Sequence, residues 1–126
     1  FKKINDGWGH ACGDEVLRGL GRLLLSSLRQ LDLAARWGGE EFLVILPETA
    51  SDGALVIAEK LRKAARELRV GCEGREVAFT ITLGVSSSTA GGPPLAECLR
   101  LADEALYAGK RAGKDRAVPA AGSAGS

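Results

Sequence analysis

The amino-acid sequence predicts an α/β fold of the α+β kind, in which helices flank a central and mostly antiparallel sheet. Three observations support this. Apolar residues recur at helical spacing over residues 12–29. Two apolar runs, 32–37 and 42–46, flank a Gly-Gly pair, a pattern typical of a β-hairpin. Residues 79–86 alternate between apolar and small or polar side chains, which is the period of a strand with two different faces.

The remaining elements follow the same criteria. A second helix is predicted after Pro47, with Ser51 or Asp52 as its N-cap. A turn is expected over residues 71–74, a third helix follows the Gly-Gly-Pro-Pro breaker at 91–94, and residues 116–118 form a last strand. The run 42–46 is apolar on both faces and predicts a central strand covered on both sides.

Composition narrows the function classes. The chain has 126 residues, 17 Lys and Arg against 16 Asp and Glu, and a formal net charge of +1. This balance argues against a general nucleic-acid or membrane surface, which would need clustered excess base. The three cysteines, Cys12, Cys72 and Cys98, show no C-x-x-C spacing and no adjacent histidine. They are therefore expected to be reduced cytosolic thiols rather than a zinc site.

The predicted hairpin carries two glycines and two acids, Gly38-Gly39-Glu40-Glu41. Glycines let the backbone approach a bulky ligand closely. Successive strand side chains point to opposite faces, so one of the two glutamates is expected to bind a divalent cation while the other packs elsewhere. Alone, the same four residues also fit a solvated hairpin tip.

Four motifs, in this order, resemble those of the GGDEF family, the catalytic domain of diguanylate cyclases. Residues 1–14 match F-K-x-I-N-D-x-x-G-H-x-x-G-D, residues 38–42 read Gly-Gly-Glu-Glu-Phe, residues 80–85 match T-[IV]-S-[IL]-G-[VI], and residues 102–113 match A-D-x-A-[LM]-Y-x-A-K-x-x-G. The resemblance covers about residues 1–118 and implies a fold similar to the nucleotidyl cyclase palm. Residues 119–126 are expected to form a flexible tail.

The resemblance implies a reaction in which two GTP molecules condense to cyclic di-GMP and two pyrophosphates across a two-fold homodimer. The 3′-hydroxyl of each GTP attacks the α-phosphate of the other. Mg²⁺ or Mn²⁺ is the implied cofactor, with two ions per half-site, because phosphoryl transfer needs charge neutralised and oxygens aligned. Glu40 matches the metal-binding and proposed proton-accepting position, and Glu41 is a supporting catalytic candidate.

Resemblance also assigns the substrate contacts. Asn5 and Asp14 match the guanine-binding positions, and His10 lies in the same loop. Asp14 taken alone equally fits an N-cap or first-turn helix acid, and His10 equally fits a structural role. Phe1 and Lys2 match positions near the phosphates, where backbone amides can contact anionic oxygens, and Gly38 and Gly39 of the hairpin are further substrate-binding candidates.

Lys110 and Lys114 match a pair that reaches the β- and γ-phosphates in the family. Four residues apart, they are expected on one face near the end of the last helix, where a solvated lysine pair is the alternative. The second position is often arginine in the family, so Lys114 keeps the charge without the fork geometry. Family members usually have alanine where this chain has Gly109.

Arg29-Gln30-Leu31-Asp32 has the Arg-x-x-Asp spacing of the family's product-inhibition site. Arginine can fork onto a guanine edge or phosphate, and aspartate can accept from guanine. Lys60, on the second helix, is a candidate to assist from a neighbouring subunit. Taken alone, the Arg-x-x-Asp spacing is common by chance and indicates a surface charge pair.

The family carries a strand before the first motif, with an aspartate and a carbonyl as metal ligands. We expect the natural protein to have this strand ahead of Phe1, since the remaining motifs are intact; without it the chain should be catalytically poor. An upstream sensory or receiver domain is the expected partner. The domain is expected in the cytoplasm, free or as part of a membrane-anchored protein, without direct membrane or nucleic-acid contact.

Two alternatives stay open. One is a non-catalytic domain that binds GTP or cyclic di-GMP and regulates a partner. The other is a GTP-using cyclase that makes a different cyclic product. The intact Gly38–Phe42 segment favours diguanylate cyclase activity over the non-catalytic alternative.

Overall fold

Amphipathic helices and short strands make up the part of the chain that the computed structural model describes, residues 10–36, 41–88 and 94–120. The helices are α1 (His10–Ser27), α2 (Ser51–Glu67) and α3 (Leu95–Arg111). The strands are β1 (Leu33–Arg36), β2 (Phe42–Ile45), β3 (Arg69–Cys72), β4 (Arg75–Ala78), β5 (Thr82–Val85) and β6 (Arg116–Pro119). The predicted mixture of helices and mostly antiparallel strands is confirmed.

The described strands form three two-stranded sheets. β1 pairs with β2 and β3 with β4, both antiparallel, whereas β5 and β6 pair in parallel. The described residues form two units. One holds those up to Pro47 together with Ala64–Phe79, and the other holds Glu48–Lys63 together with those from Thr80 onward.

In the first unit, the core forms where α1 packs against the β3–β4 hairpin. Val16, Val70 and Val77 are buried together, with Leu68 and Phe79 packed around them. Gly19 lets the helix approach β3 closely, because a Cβ there would lie 2.9 Å from a Val70 methyl carbon. The apolar face of α1 is therefore fixed on this hairpin, and the hairpin was not expected from the sequence.

Cys12 and Cys72 form a disulfide, with Cα atoms 5.7 Å apart, so the prediction of three reduced thiols is wrong for these two residues. They lie 60 positions apart. The pairing arises because α1 packs on β3, which sequence spacing could not indicate. Cys98 is a free, buried cysteine.

In the second unit, α3 packs against β5 and β6. Gly84 of β5 makes the closest approach, since a Cβ there would lie 2.0 Å from the Ala102 carbonyl oxygen. Gly109 of α3 faces Thr82 and Val118 in the same way. A Cβ at Gly109 would lie 2.9 Å from the Thr82 methyl carbon and 3.1 Å from a Val118 methyl carbon. These two glycines set the distance between helix and strands, and so position the end of α3.

Several boundaries differ from prediction. The turn at 71–74 belongs to the β3–β4 hairpin, whose Glu73 and Gly74 both have positive φ, as its tight turn requires. β5 covers only Thr82–Val85 of the predicted 79–86. β2 is half-buried and, among the described residues, pairs only with β1, so the doubly covered strand is not observed.

The end of the folded chain also differs. Pro119 belongs to β6, and Ala120 is buried and donates its N–H to the Val85 carbonyl at 2.7 Å. Folded structure thus extends two residues past the predicted boundary at 118. Residues 121–126 lie outside the described part, and their flexibility stays a prediction.

Candidate functional site

The hairpin that carries the two glycines and two acids forms as predicted. Its last paired residues are Arg36 and Phe42, so residues 37–41 make the connection. Phe42 lies beside α1, with Cε1 3.9 Å from the position of a Cβ at Gly21. Glu41 is half-buried just before β2, whereas Gly38, Gly39 and Glu40 lie outside the described residues.

The start of α1 carries the described part of the predicted guanine site. His10 is the first helical residue, and its side chain is outside the description. Asp14 is exposed and is the fifth residue of α1, beyond the first turn, so the alternative of an N-cap or first-turn acid is not observed. Phe1, Lys2 and Asn5 lie outside the described residues.

Lys110 and Lys114 are both exposed, but they do not share a helix face. α3 ends at Arg111, and Gly113, with φ of 124°, turns the chain out of the helix. Lys114 itself has φ of 65° and donates its N–H to the Gly109 carbonyl at 3.0 Å. The predicted helical pair is therefore wrong in conformation: Lys110 is in the last turn and Lys114 in the loop that follows.

The α3–β6 loop, residues 112–115, is held by side chains from outside it. Arg62 of α2 donates from Nη1 to Asp115 Oδ1 at 3.1 Å, and the Asp115 N–H donates to Thr82 Oγ1 at 3.1 Å. Arg62 also pairs with Glu59, with Nη2 2.9 Å from Oε2. These hydrogen bonds raise the pKa of Arg62 and lower that of Glu59, so both stay charged.

Arg29 and Asp32 form a closed turn. The Asp32 carboxylate accepts from the Arg29 N–H at 2.8 Å and from its guanidinium Nη2 at 2.8 Å, and Nη2 also donates to the Pro47 carbonyl at 3.0 Å. The Asp32 side chain is 1% exposed, whereas that of Arg29 is 47% exposed. The hydrogen bond from Arg29 lowers the pKa of Asp32.

This geometry gives the two residues different roles. Both partners are engaged in the pair, but the Arg29 side chain is the exposed one and the Asp32 side chain is buried. Lys60 is exposed on α2 and lies in a shallow groove of that helix. The groove is lined by Asp52, Leu55, Val56, Glu59, Lys60 and Lys63.

The donor set for a divalent cation is not complete in the described part. Among residues 10–36, 41–88 and 94–120, no three His, Cys, Asp or Glu side chains are placed to hold a metal. A metal site would therefore require donors such as Glu40, which lies outside those ranges. Within the same ranges, no helix is both long and apolar enough to cross a membrane.

Sequence reasoning missed Arg62, Asp115 and Thr82, which fix the loop around Lys114. Arg62 follows Glu59 at the three-residue helical spacing, which signals an ion pair but not its second partner. That partner lies 53 residues away. Only the tertiary fold of the second unit brings the two side chains together.

Comparison with known proteins identifies the family. Residues 1–116 match the family described as diguanylate cyclase, GGDEF domain. The chain is 40% identical to diguanylate cyclase A of Treponema denticola over 116 residues, which is 92% of this chain and 31% of the relative. It is 44% identical to response regulator PleD of Caulobacter vibrioides over 120 residues, covering 94% of this chain and 26% of PleD. The chain thus spans about a third or less of these relatives.

Solved structures of GGDEF domains and diguanylate cyclases match the fold of this chain. Diguanylate cyclase SiaD of Pseudomonas aeruginosa, in complex with its activator SiaC, matches with TM-score 0.87 and 39% identity over 94% of this chain and 45% of SiaD. The active GGEEF domain of a Vibrio cholerae diguanylate cyclase matches with TM-score 0.82 and 35% identity, over 94% of this chain and 75% of that domain's chain. The GGDEF domain of DgcB from Caulobacter crescentus, in complex with c-di-GMP, matches with TM-score 0.86 and 30% identity, over 94% of this chain and 70% of the DgcB chain. The chain belongs to the diguanylate cyclase GGDEF domain family.

Proposed function

We propose that this chain is the catalytic domain of a diguanylate cyclase, which condenses two GTP molecules into cyclic di-GMP and two pyrophosphates. The observation that carries the proposal is the β1–β2 hairpin, whose connection holds the intact Gly38–Glu41 signature between Arg36 and Phe42. The same Gly-Gly-Glu-Glu-Phe form names the active Vibrio cholerae domain that this chain resembles.

The proposed chemistry needs two nucleotides facing each other in a homodimer. Each 3′-oxygen forms a bond to the α-phosphorus of the other GTP, the bond from that phosphorus to the bridging oxygen breaks, and pyrophosphate leaves. The proton of each 3′-hydroxyl passes to a base, for which Glu40 is the candidate and Glu41 the supporting residue. Mg²⁺ or Mn²⁺, two ions per half-site with Glu40 among the ligands, would neutralise the phosphate charge when bound.

Substrate contacts are assigned to three groups of residues. Asp14, exposed on α1, accepts from guanine N1 and N2, with Asn5 and His10 completing the guanine contacts. Lys110 and Lys114 provide positive charge for the β- and γ-phosphates. Gly38, Gly39, Phe1 and Lys2 contribute backbone near the remaining phosphates. The exposure of Asp14, Lys110 and Lys114 is compatible with these roles.

Feedback inhibition by cyclic di-GMP is proposed at Arg29, with Lys60 assisting from a neighbouring subunit. The Arg29 side chain is half-exposed and Asp32 orients its guanidinium, a group that can bind a phosphate or a guanine edge. A direct bond from Asp32 to guanine would first require the Arg29 pair to open. The complex of the related DgcB domain with c-di-GMP supports product binding in this family.

Regulation is proposed to come from outside the domain. PleD is a response regulator and SiaD binds an activator, so an attached receiver or sensory domain, or a separate activator, is the expected partner here. Such an input would control dimerisation of a domain that acts in the cytoplasm.

The test is pyrophosphate release from GTP by the full-length protein, with Glu40→Gln as the inactive variant. Glu67→Gln, at an exposed glutamate that ends α2, is the control for the same chemical change outside the signature. The proposal predicts that the rate per subunit rises with protein concentration, that Glu40→Gln abolishes it and that Glu67→Gln preserves it. Tight GTP binding without release, in parent and variants alike, would instead indicate a non-catalytic nucleotide-binding domain.

A further inference from the structure

The loop that carries Lys114 has an unusual backbone. Gly113, Lys114 and Asp115 have φ values of 124°, 65° and 48°, so three consecutive residues lie at positive φ and two of them are not glycine. Aspartate tolerates this conformation better than most residues, whereas a lysine there is uncommon and depends on the surrounding contacts. The position of the Lys114 side chain therefore depends on the contacts that hold this loop.

Besides the hydrogen bonds of the Lys114 backbone to Gly109 and Arg116, two side chains from other elements hold this loop. Thr82 Oγ1 accepts from the Asp115 N–H, and the Arg62 guanidinium donates to the Asp115 carboxylate, both at 3.1 Å. The Arg62 side chain is 15% exposed and that of Asp115 is 25% exposed, so solvent screens this ion pair less than a surface pair. The Arg62–Asp115 ion pair is the charged contact that ties the loop to α2.

Glu59 prepares Arg62 for this contact. Its carboxylate accepts from Nε and Nη2 of Arg62, which leaves Nη1 directed at Asp115. The guanidinium can make both pairs at once because it is planar and carries donors on two edges. A lysine could not reproduce this arrangement.

We propose that Arg62 is a positioning residue for the triphosphate of the substrate: through Asp115 it holds the loop in the conformation in which Lys114, together with Lys110, binds the β- and γ-phosphates. This inference rests on the proposed function. It assigns to Arg62 no contact with the nucleotide itself.

The test compares two nucleotides that cannot be cyclised, 3′-deoxy-GTP and 3′-deoxy-GMP, by calorimetry on the full-length protein with Mg²⁺. Only the first has the β- and γ-phosphates. If Arg62→Met reduces the correctly folded loop to a tenth of the population, the Kd for 3′-deoxy-GTP rises about tenfold, while that for 3′-deoxy-GMP stays within about twofold of the parent.

Arg100→Met is the matched control. Arg100 also pairs with a glutamate three residues earlier and with a second carboxylate, Glu97 and Glu104, but on the exposed surface of α3. This variant should leave both affinities unchanged. Asp115→Asn provides a second measurement if Arg62→Met fails to fold, because asparagine tolerates the same backbone conformation; about a threefold loss for 3′-deoxy-GTP alone is expected.

The outcomes separate the inference from the proposed function. A parent protein that binds neither nucleotide contradicts the proposed function. A parent that prefers 3′-deoxy-GTP, with a folded Arg62→Met or Asp115→Asn variant that keeps that preference in full, overturns the role of Arg62 alone. Equal losses for both nucleotides also overturn it, because they indicate general damage to the domain.

Discussion

Gly84→Ala should destabilise the domain more than any conservative surface change. A Cβ at this position would lie 2.0 Å from the Ala102 carbonyl oxygen and 2.5 Å from the Leu106 nitrogen, both backbone atoms of α3. Real Cβ atoms essentially never approach closer than 3.0 Å. Because backbone cannot rotate away as a side chain can, α3 and β5 would have to separate by about 1 Å at this point.

The magnitude follows from that separation. Overpacking a well-packed site costs about 1–3 kcal/mol, and a gap of about 1 Å forfeits up to half of the dispersion energy of the neighbouring contacts. We therefore expect a loss of about 3–5 kcal/mol in the free energy of unfolding. Since domains are stable by only about 5–15 kcal/mol, such a loss would leave little margin.

Guanidinium-induced unfolding followed by circular dichroism measures this quantity. Gly71→Ala is the control, because Gly71 is also a strand glycine and a Cβ there meets nothing within 4 Å. It should be neutral or stabilise by up to about 0.5–1 kcal/mol, as alanine loses less entropy than glycine on folding. A Gly84→Ala protein within about 1 kcal/mol of the parent would refute the close packing of α3 on β5.

Three further predictions concern other contacts. Gly109→Ala should lower the free energy of unfolding by only about 1 kcal/mol in the same assay. The added carbon meets side-chain methyls, which can shift, and alanine favours the helix more than glycine does. Asp32→Asn should be less stable than the parent at neutral pH; since the folded pKa is lowered, this difference should persist above the ordinary aspartate pKa and vanish as pH falls through the folded value. Under non-reducing denaturing conditions, Ellman titration should find one thiol rather than three. Reduction of the Cys12–Cys72 disulfide should lower the free energy of unfolding by on the order of 4 kcal/mol, because the bridged residues are 60 positions apart.

Local patterns predicted much of this fold. The three helices and the β1–β2 hairpin follow from apolar periodicity and the Gly-Gly pair, because those signals lie within a few adjacent residues. The β3–β4 hairpin was not predicted, because its turn, Glu73-Gly74, resembles an ordinary loop. Short strands owe their existence to packing against α1 rather than to their own sequence.

Contacts between residues far apart in the sequence could not be predicted from local patterns. The Cys12–Cys72 disulfide and the Arg62–Asp115 ion pair join residues 60 and 53 positions apart. Lys114 shows a related difficulty: four-residue spacing from Lys110 predicts a shared helix face, but Gly113 ends the helical geometry between them. The Arg29–Asp32 spacing was predicted correctly as a pair, while the burial of Asp32 depends on tertiary structure.

The central claim is that the domain joins two guanine nucleotides through 3′–5′ phosphodiester bonds. The most direct measurement is mass spectrometry, with enzymatic digestion of the product, after incubation of the full-length protein with GTP and Mg²⁺ and, separately, with ATP. We predict cyclic di-GMP from GTP, none from ATP, and none from GTP with the Glu40→Gln variant. A different cyclic product, or unchanged GTP at high protein concentration, would contradict the claim.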